Sequence, residues 1–214
     1  MNIIYLLFHG LSPYSGISKK ILYQVKGFET CGHRVSLCTY SIADNGHRVR
    51  MINDEIIDDY GTGKPAAAKR RVSYQCIYRY AVTHQVELIY VRSFHNANPF
   101  TIRLFSKLRK AGIKIAMEIP TYPYDSEYAG FPLVTRLGIQ VDKVFRKTLA
   151  KHVNAIVTFS DYHCIFGQRT IQISNGVDFD SIPLKKTVSK NTSVIHLLGV
   201  AEVHYWHGYD RLID

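Results

Sequence analysis

Several stretches of this chain combine residue types that could do chemistry. Gly10-Leu11-Ser12-Pro13-Tyr14-Ser15-Gly16 sets two glycines, where backbone could approach a phosphate, just ahead of a helical pattern whose first N–H groups would be free. It lacks the full G-x-G-x-x-G pattern, so a ligand-facing loop and a plain βα turn both fit it. Glu118 ends an apolar run and is followed by Pro120-Thr121-Tyr122-Pro123-Tyr124-Asp125-Ser126-Glu127-Tyr128. A carboxylate there could act as a base, orient a hydroxyl, or hold a basic neighbour. Tyr122, Tyr124 and Tyr128 could wall a sugar ring or simply pack their loop. His9 and His95, at other strand exits, could bind a phosphate or a sugar hydroxyl, or be satisfied structural histidines. Gly61-Thr62-Gly63-Lys64-Pro65 has the look of a P-loop tail, but proline stands where the metal-holding Ser or Thr belongs, so a basic loop is expected.

The elements that must position these residues follow from hydrophobic period. Residues 3–8 are continuously apolar, as a strand covered on both faces must be, and from Ile17 the period changes to Ile17, Ile21, Leu22, Val25 and Phe28, one face of a helix. Strands are expected over 35–40, 88–91, 113–119, 155–159 and 171–174, and Asp44-Asn45-Gly46 reads as a hairpin turn into 49–52. Helices are expected over 65–84, 99–111 and 132–151, the last with Leu133, Leu137, Val141, Val144, Phe145 and Leu149 inward. Alternation of this kind predicts an α/β fold, a Rossmann-like doubly wound, mostly parallel sheet with helices on both faces. Ligands of such sheets bind at the carboxyl ends of the strands.

The chain has 214 residues and a net charge of +10, from 27 Lys and Arg against 17 Asp and Glu. The charge favours an anionic partner, and the basic faces near Lys64 to Arg71 and along 136–151 suit an anionic membrane surface. No nucleic-acid recognition signature accompanies it. Cys31, Cys38, Cys76 and Cys164 lack the short paired spacing of a zinc or redox site, which predicts free thiols in a reducing compartment. The first apolar run is too short for a signal peptide or a membrane span, so a cytoplasmic protein is expected, peripheral at the inner face of the membrane if it meets lipid.

Two later stretches carry a family resemblance. Ile171-Gln172-Ile173-Ser174-Asn175-Gly176-Val177-Asp178, preceded by Ser160-Asp161 at a strand end, resembles the segment that closes the N-terminal domain of retaining GT-B glycosyltransferases, especially family GT4. Residues 194–200 followed by Trp206-His207-Gly208-Tyr209-Asp210-Arg211-Leu212-Ile213 resemble that family's first C-terminal strand and helix start. The resemblance implies an N-terminal acceptor-side domain over 1–182, a linker over 183–192, and the start of a donor-binding domain over 193–214. It implies transfer of a sugar from a nucleotide-sugar donor to a glycan or glycolipid acceptor in polysaccharide or lipid-linked synthesis, without a metal or bound cofactor.

Carried onto this sequence, the resemblance makes Ser15 and Gly16 the donor-facing loop and Asn175, Gly176 and Asp178 an interdomain hinge. His9, His95, Tyr122, Tyr124 and Asp125 become the acceptor-facing set. Glu118 stands near the place of a histidine in many relatives, which makes it the candidate catalytic residue. The diphosphate-binding residues of the family belong to its second domain, so the chain is expected to be inactive alone. The alternatives are a non-catalytic Rossmann-like module that binds an anionic ligand, and a single-domain enzyme of sugar-nucleotide metabolism.

Overall fold

The computed structural model describes residues 1–93, 95–125 and 132–182, together with Arg211. Expectations for the linker over 183–192, for the strand and helix start beyond it, and for Tyr128 lie outside the described residues. Chain contacts divide the protein into two units, Met1–Val177 and Asp178–Asp214.

The first unit is α/β and Rossmann-like. Its sheet has the strand order β4 (Glu55–Asp59), β3 (Arg48–Ile52), β2 (Arg34–Ile42), β1 (Asn2–Leu6), β5 (Leu88–Arg92), β6 (Lys114–Ile119), β7 (Ala155–Thr158), β9 (Gln168–Gln172) and β8 (Cys164–Ile165). The parallel centre is formed by β1, β2, β5, β6, β7 and β9. Ile3 to Leu7 are each at most 1% exposed, because helices cover both faces of β1. After β1 the chain crosses α1 (Gly16–Thr30) to β2 on one side, and later returns to β5 on the other. The β1/β5 boundary is therefore the point where strand order reverses, the usual place for a ligand crevice.

The predicted hairpin after β2 is present as β3 (Arg48–Ile52), antiparallel to β2. A further edge strand, β4 (Glu55–Asp59), follows it through Asn53 and Asp54, both in the left-handed region at φ 46° and 69°. Two positive φ values match the twist of a two-residue hairpin. The short pair β8 (Cys164–Ile165) and β9 turns through Phe166 and Gly167 in the same region.

Two expectations are corrected. The single helix over 65–84 is two helices, α2 (Gly63–Lys69) and α3 (Gln75–Thr83). The break between them lets Tyr74 bury its ring edge-on to Phe8 at 5.7 Å and lets Arg70 lie over the Tyr40 ring at 4.1 Å.

The second correction concerns α5 (Leu133–Ala150), which follows α4 (Pro99–Lys110) in chain order. Leu133, Leu137, Val141 and Val144 are exposed, at 71, 60, 45 and 71%. The buried face belongs to Ile139, Asp142, Leu149 and Ala150, with Phe145 half-buried. The helix has apolar residues on two sides, and the side chosen by the sheet is the one whose Asp142 finds partners there. All four cysteines are free thiols, Cys38 and Cys76 buried, Cys31 and Cys164 exposed.

Candidate functional site

A cleft of about 820 Å³ opens at the carboxyl ends of β1, β5 and β6. Its first wall is the loop between β1 and α1. Leu7 is fixed by its N–H to the Cys38 carbonyl (2.8 Å) and by its own carbonyl, which accepts from Nη1 of the buried Arg50 (2.8 Å). Gly10 then passes so close to β2 that a Cβ there would stand 2.8 Å from the Tyr40 carbonyl oxygen. Glycine is required at that position by backbone approach. Ser15 caps α1, its side chain accepting from the Ser18 N–H at 3.4 Å, while the Ser18 hydroxyl accepts from the Ser12 N–H at 2.9 Å. Gly16 differs from Gly10: a Cβ there would meet nothing within 4 Å. The space beside Gly16 is open cleft.

The floor is organised by Glu118, which is fully buried at the end of β6. Register places it directly beside Arg92 at the end of β5. Oε1 accepts from Arg92 Nη1 and faces Lys20 Nζ at 3.5 Å. Oε2 accepts from the Tyr90 hydroxyl at 2.6 Å and from Gln24 Nε2 at 2.9 Å, and Gln24 in turn accepts from Tyr5 at 2.6 Å. Both oxygens are thus occupied from within the protein. The Lys20 ammonium also sits 3.5 Å above the centre of the Phe159 ring. Burial lowers the Lys20 pKa from its ordinary value, and the Glu118 carboxylate opposes that shift. Burial, then the same carboxylate, pushes the Tyr5 and Tyr90 hydroxyls upward, so both stay protonated donors.

The opposite wall comes from the exits of β5 and β6. His95 takes a left-handed φ of 48° and packs its ring 5.2 Å from that of Tyr124. Burial lowers the His95 pKa, with Asp142 and Asp125 pulling the other way, so the ring favours its neutral form. Asp142, 2% exposed on α5, accepts from the Ala97 N–H at 3.0 Å and from the Tyr124 hydroxyl at 2.9 Å. One carboxylate therefore fixes both segments of this wall. Asp125 makes a two-pronged pair with Arg146 (2.7 and 3.1 Å), which holds its carboxyl below the usual carboxylate range.

Of the residues singled out from sequence, His9, Ser15, Gly16, His95, Tyr124, Asn175 and Gly176 line this one cleft. Glu118 lies under its floor. Tyr122 instead packs edge-on against Tyr162 and Phe166, at 4.9 and 5.4 Å, and Asp125 ties the loop to α5. Asp178 belongs to the second unit. Lys20, Arg92 and Asp142 were not singled out. The available signal for Arg92 was a charge at the end of a buried strand, matched by Glu118 at the end of another. Among the described residues no group of three or more His, Cys, Asp and Glu could hold a metal ion, and no helix is long and apolar enough to cross a membrane. Comparison with family models, with curated proteins and with solved structures finds no match for the chain.

Proposed function

We propose that the first unit is the acceptor-side half of a retaining GT-B glycosyltransferase of the GT4 kind, transferring a sugar from a nucleotide-sugar to a polysaccharide or lipid-linked acceptor. The observation that carries this is the meeting of Ser15-Gly16 with Asn175-Gly176 on one cleft, although some 160 residues separate them in sequence. Asn175-Gly176 belongs to the closing segment that carries the family resemblance, and Ser15-Gly16 is the loop that the resemblance implies faces the donor. The open space at Gly16, next to the free N–H groups of α1, suits a polar sugar or phosphate approaching backbone. In this reading Glu118 serves as the anchor of Arg92 and Lys20 and not as a base, since both its oxygens are engaged by donors of the protein itself.

The test is a Gly16→Val variant. Because a Cβ at this position meets nothing within 4 Å, its melting temperature should stay within a few degrees of wild type. In amide-resolved NMR, nucleotide-sugars and oligosaccharides are expected to shift the Ser15, Gly16 and Gly176 signals in wild type, and Gly16→Val should remove those shifts. Shifts confined to other surfaces, or no response to any sugar, would sink the reading in favour of a binding module for some other anion.

A lipid-linked acceptor also accords with the outer face of α5. Leu133, Leu137, Val141 and Val144 form an exposed apolar stripe flanked by Arg136, Lys143 and Lys147, and the acid of that helix, Asp142, is turned inward. Lys143 also pairs with Asp125 at 3.6 Å, which leaves Arg136 and Lys147 as the cations facing outward, and an apolar stripe edged by cations is complementary to an anionic bilayer surface. The chain should co-sediment with phosphatidylglycerol vesicles and much less with phosphatidylcholine. Leu137→Glu with Val144→Glu should abolish that binding while leaving the fold intact, as both side chains are exposed. Equal sedimentation with both lipids would remove the electrostatic half of the argument.

A further inference from the structure

The charge arithmetic of the cleft floor is unusual. Lys20 and Arg92 both line the cleft, and both are held by the same oxygen, Oε1 of Glu118. Two positive charges therefore share one negative charge, which lies beneath them and is wholly buried. The second carboxylate oxygen contributes nothing toward the cleft, being taken by the neutral donors Tyr90 and Gln24. Among the described residues that line the cleft there is no Asp or Glu. The Lys20 and Arg92 side chains are only 18 and 9% exposed, so bulk water screens this excess charge weakly.

Both cations are also preorganised. The Phe159 ring and Glu118 fix the Lys20 head, and Arg92 is held from behind by the carboxylate. A neutral sugar hydroxyl would leave the excess charge uncompensated. A tetrahedral oxyanion would accept from an ammonium and a guanidinium together, and the Ser93 and Thr121 residues lining the same cleft supply further polar groups. Lys20 lies four residues beyond Gly16 on α1, about 6 Å along the axis, and both residues line the same cleft.

We infer that Lys20 and Arg92 form an oxyanion subsite that binds a phosphate group borne by the acceptor, with Glu118 as the counter-charge below. The assignment to the acceptor rests on the glycosyltransferase reading; the subsite itself does not. The acceptor class is then a phosphorylated sugar or a glycolipid phosphate, as opposed to a neutral glycan.

The experiment measures binding of inorganic phosphate, a hexose 6-phosphate, the free hexose and a nucleoside diphosphate to the 214-residue chain by calorimetry and amide NMR. Phosphate and hexose phosphate should bind and compete with each other, their affinity falling with salt, and the free hexose should bind at least tenfold more weakly. Lys20→Gln and Arg92→Lys should each weaken both phosphates roughly tenfold or more, the effect of losing a charge-assisted contact or its fork geometry. Lys20 is the partly exposed member, so its variant is expected to fold even if Arg92→Lys does not. Unchanged phosphate affinity in Lys20→Gln would mean an adventitious ion only, and would overturn the proposal. Binding of the nucleoside diphosphate alone, lost in Lys20→Gln, would make this a donor site and overturn it equally. If phosphates depend on Lys20 while no sugar shifts Gly16, the subsite stands and the transferase reading falls. If sugars shift Gly16 but phosphate ignores Lys20, the reverse holds.

Discussion

Glu118→Ala will destabilise the first unit by about 3–5 kcal/mol, the usual cost of removing one partner from a buried ion pair. The carboxylate is 0% exposed and Arg92 is 7% exposed, so the substitution strands a guanidinium in a poorly solvated floor and leaves Tyr90 and Gln24 without their acceptor. For a domain of this size each kcal/mol moves the melting temperature by roughly 2–4 °C, so a fall of about 6–20 °C is expected in thermal unfolding. Glu118→Gln keeps shape but not charge, and should recover only part of the loss. The decisive comparison is the pair of apolar replacements Glu118→Met with Arg92→Met. Removing both charges should cost less than the sum of the single changes, because the stranded charge is gone. A general base would behave differently: its amide variant would keep its stability and lose only turnover. Full stability of Glu118→Gln, with additive single and double changes, would refute the anchoring role.

That result bears on how much of the site could be read from sequence. Glu118 was visible as a carboxylate ending a strand, and holding a basic neighbour was one of its open roles. What period and composition could not supply was which cation. Arg92 sits 26 residues earlier, and only the adjacency of β5 and β6 brings the two strand ends together. Lys20 was concealed differently. It belongs to the helix whose apolar face was plain, but whether it turned to the cleft or to solvent depended on how α1 lies on the sheet.

The fold itself was legible because buried parallel strands write apolar runs, as β1, β5 and β7 do, with β6 interrupted by Glu118. The edge strand β4 was missed because edges are charged: Glu55-Ile56-Ile57-Asp58-Asp59 pairs on one side only, and acids at an exposed edge discourage further pairing. The turn that introduces it, Asn53-Asp54, uses residue types that tolerate the left-handed region, a signal comparable to the Asn45-Gly46 hairpin that was recognised. The error on α5 has a separate cause. Its apolar residues occupy two faces, so the pattern alone offers two inward sides, and the longer stripe of Leu133, Leu137, Val141 and Val144 is the exposed one.

Asp142 lies on the face that is buried, beside Ile139 and Leu149, and its removal is the second large effect expected. Its carboxylate accepts the Ala97 N–H and the Tyr124 hydroxyl, both in buried surroundings. Asp142→Ala leaves two donors without partners, at about 1–3 kcal/mol each, so a loss of about 2–6 kcal/mol is expected in urea titration. Asp142→Asn should be mild by comparison, because its amide oxygen can still accept from Ala97 and its amide nitrogen can donate to the Tyr124 oxygen. The loss should be local as well as global. Ala97 follows His95 on one wall segment and Tyr124 stands on the other, so the alanine variant should speed exchange of the Ala97 amide hydrogen well beyond that of β5 amides such as Val91. Loosening both segments should also blunt the response of the His95 and Tyr124 signals to any sugar bound at Gly16, even at temperatures where the variant is folded. An Asp142→Ala protein with wild-type urea stability and a protected Ala97 amide would show that the wall is held by other contacts, and that α5 owes its orientation to Ile139 and Leu149 alone.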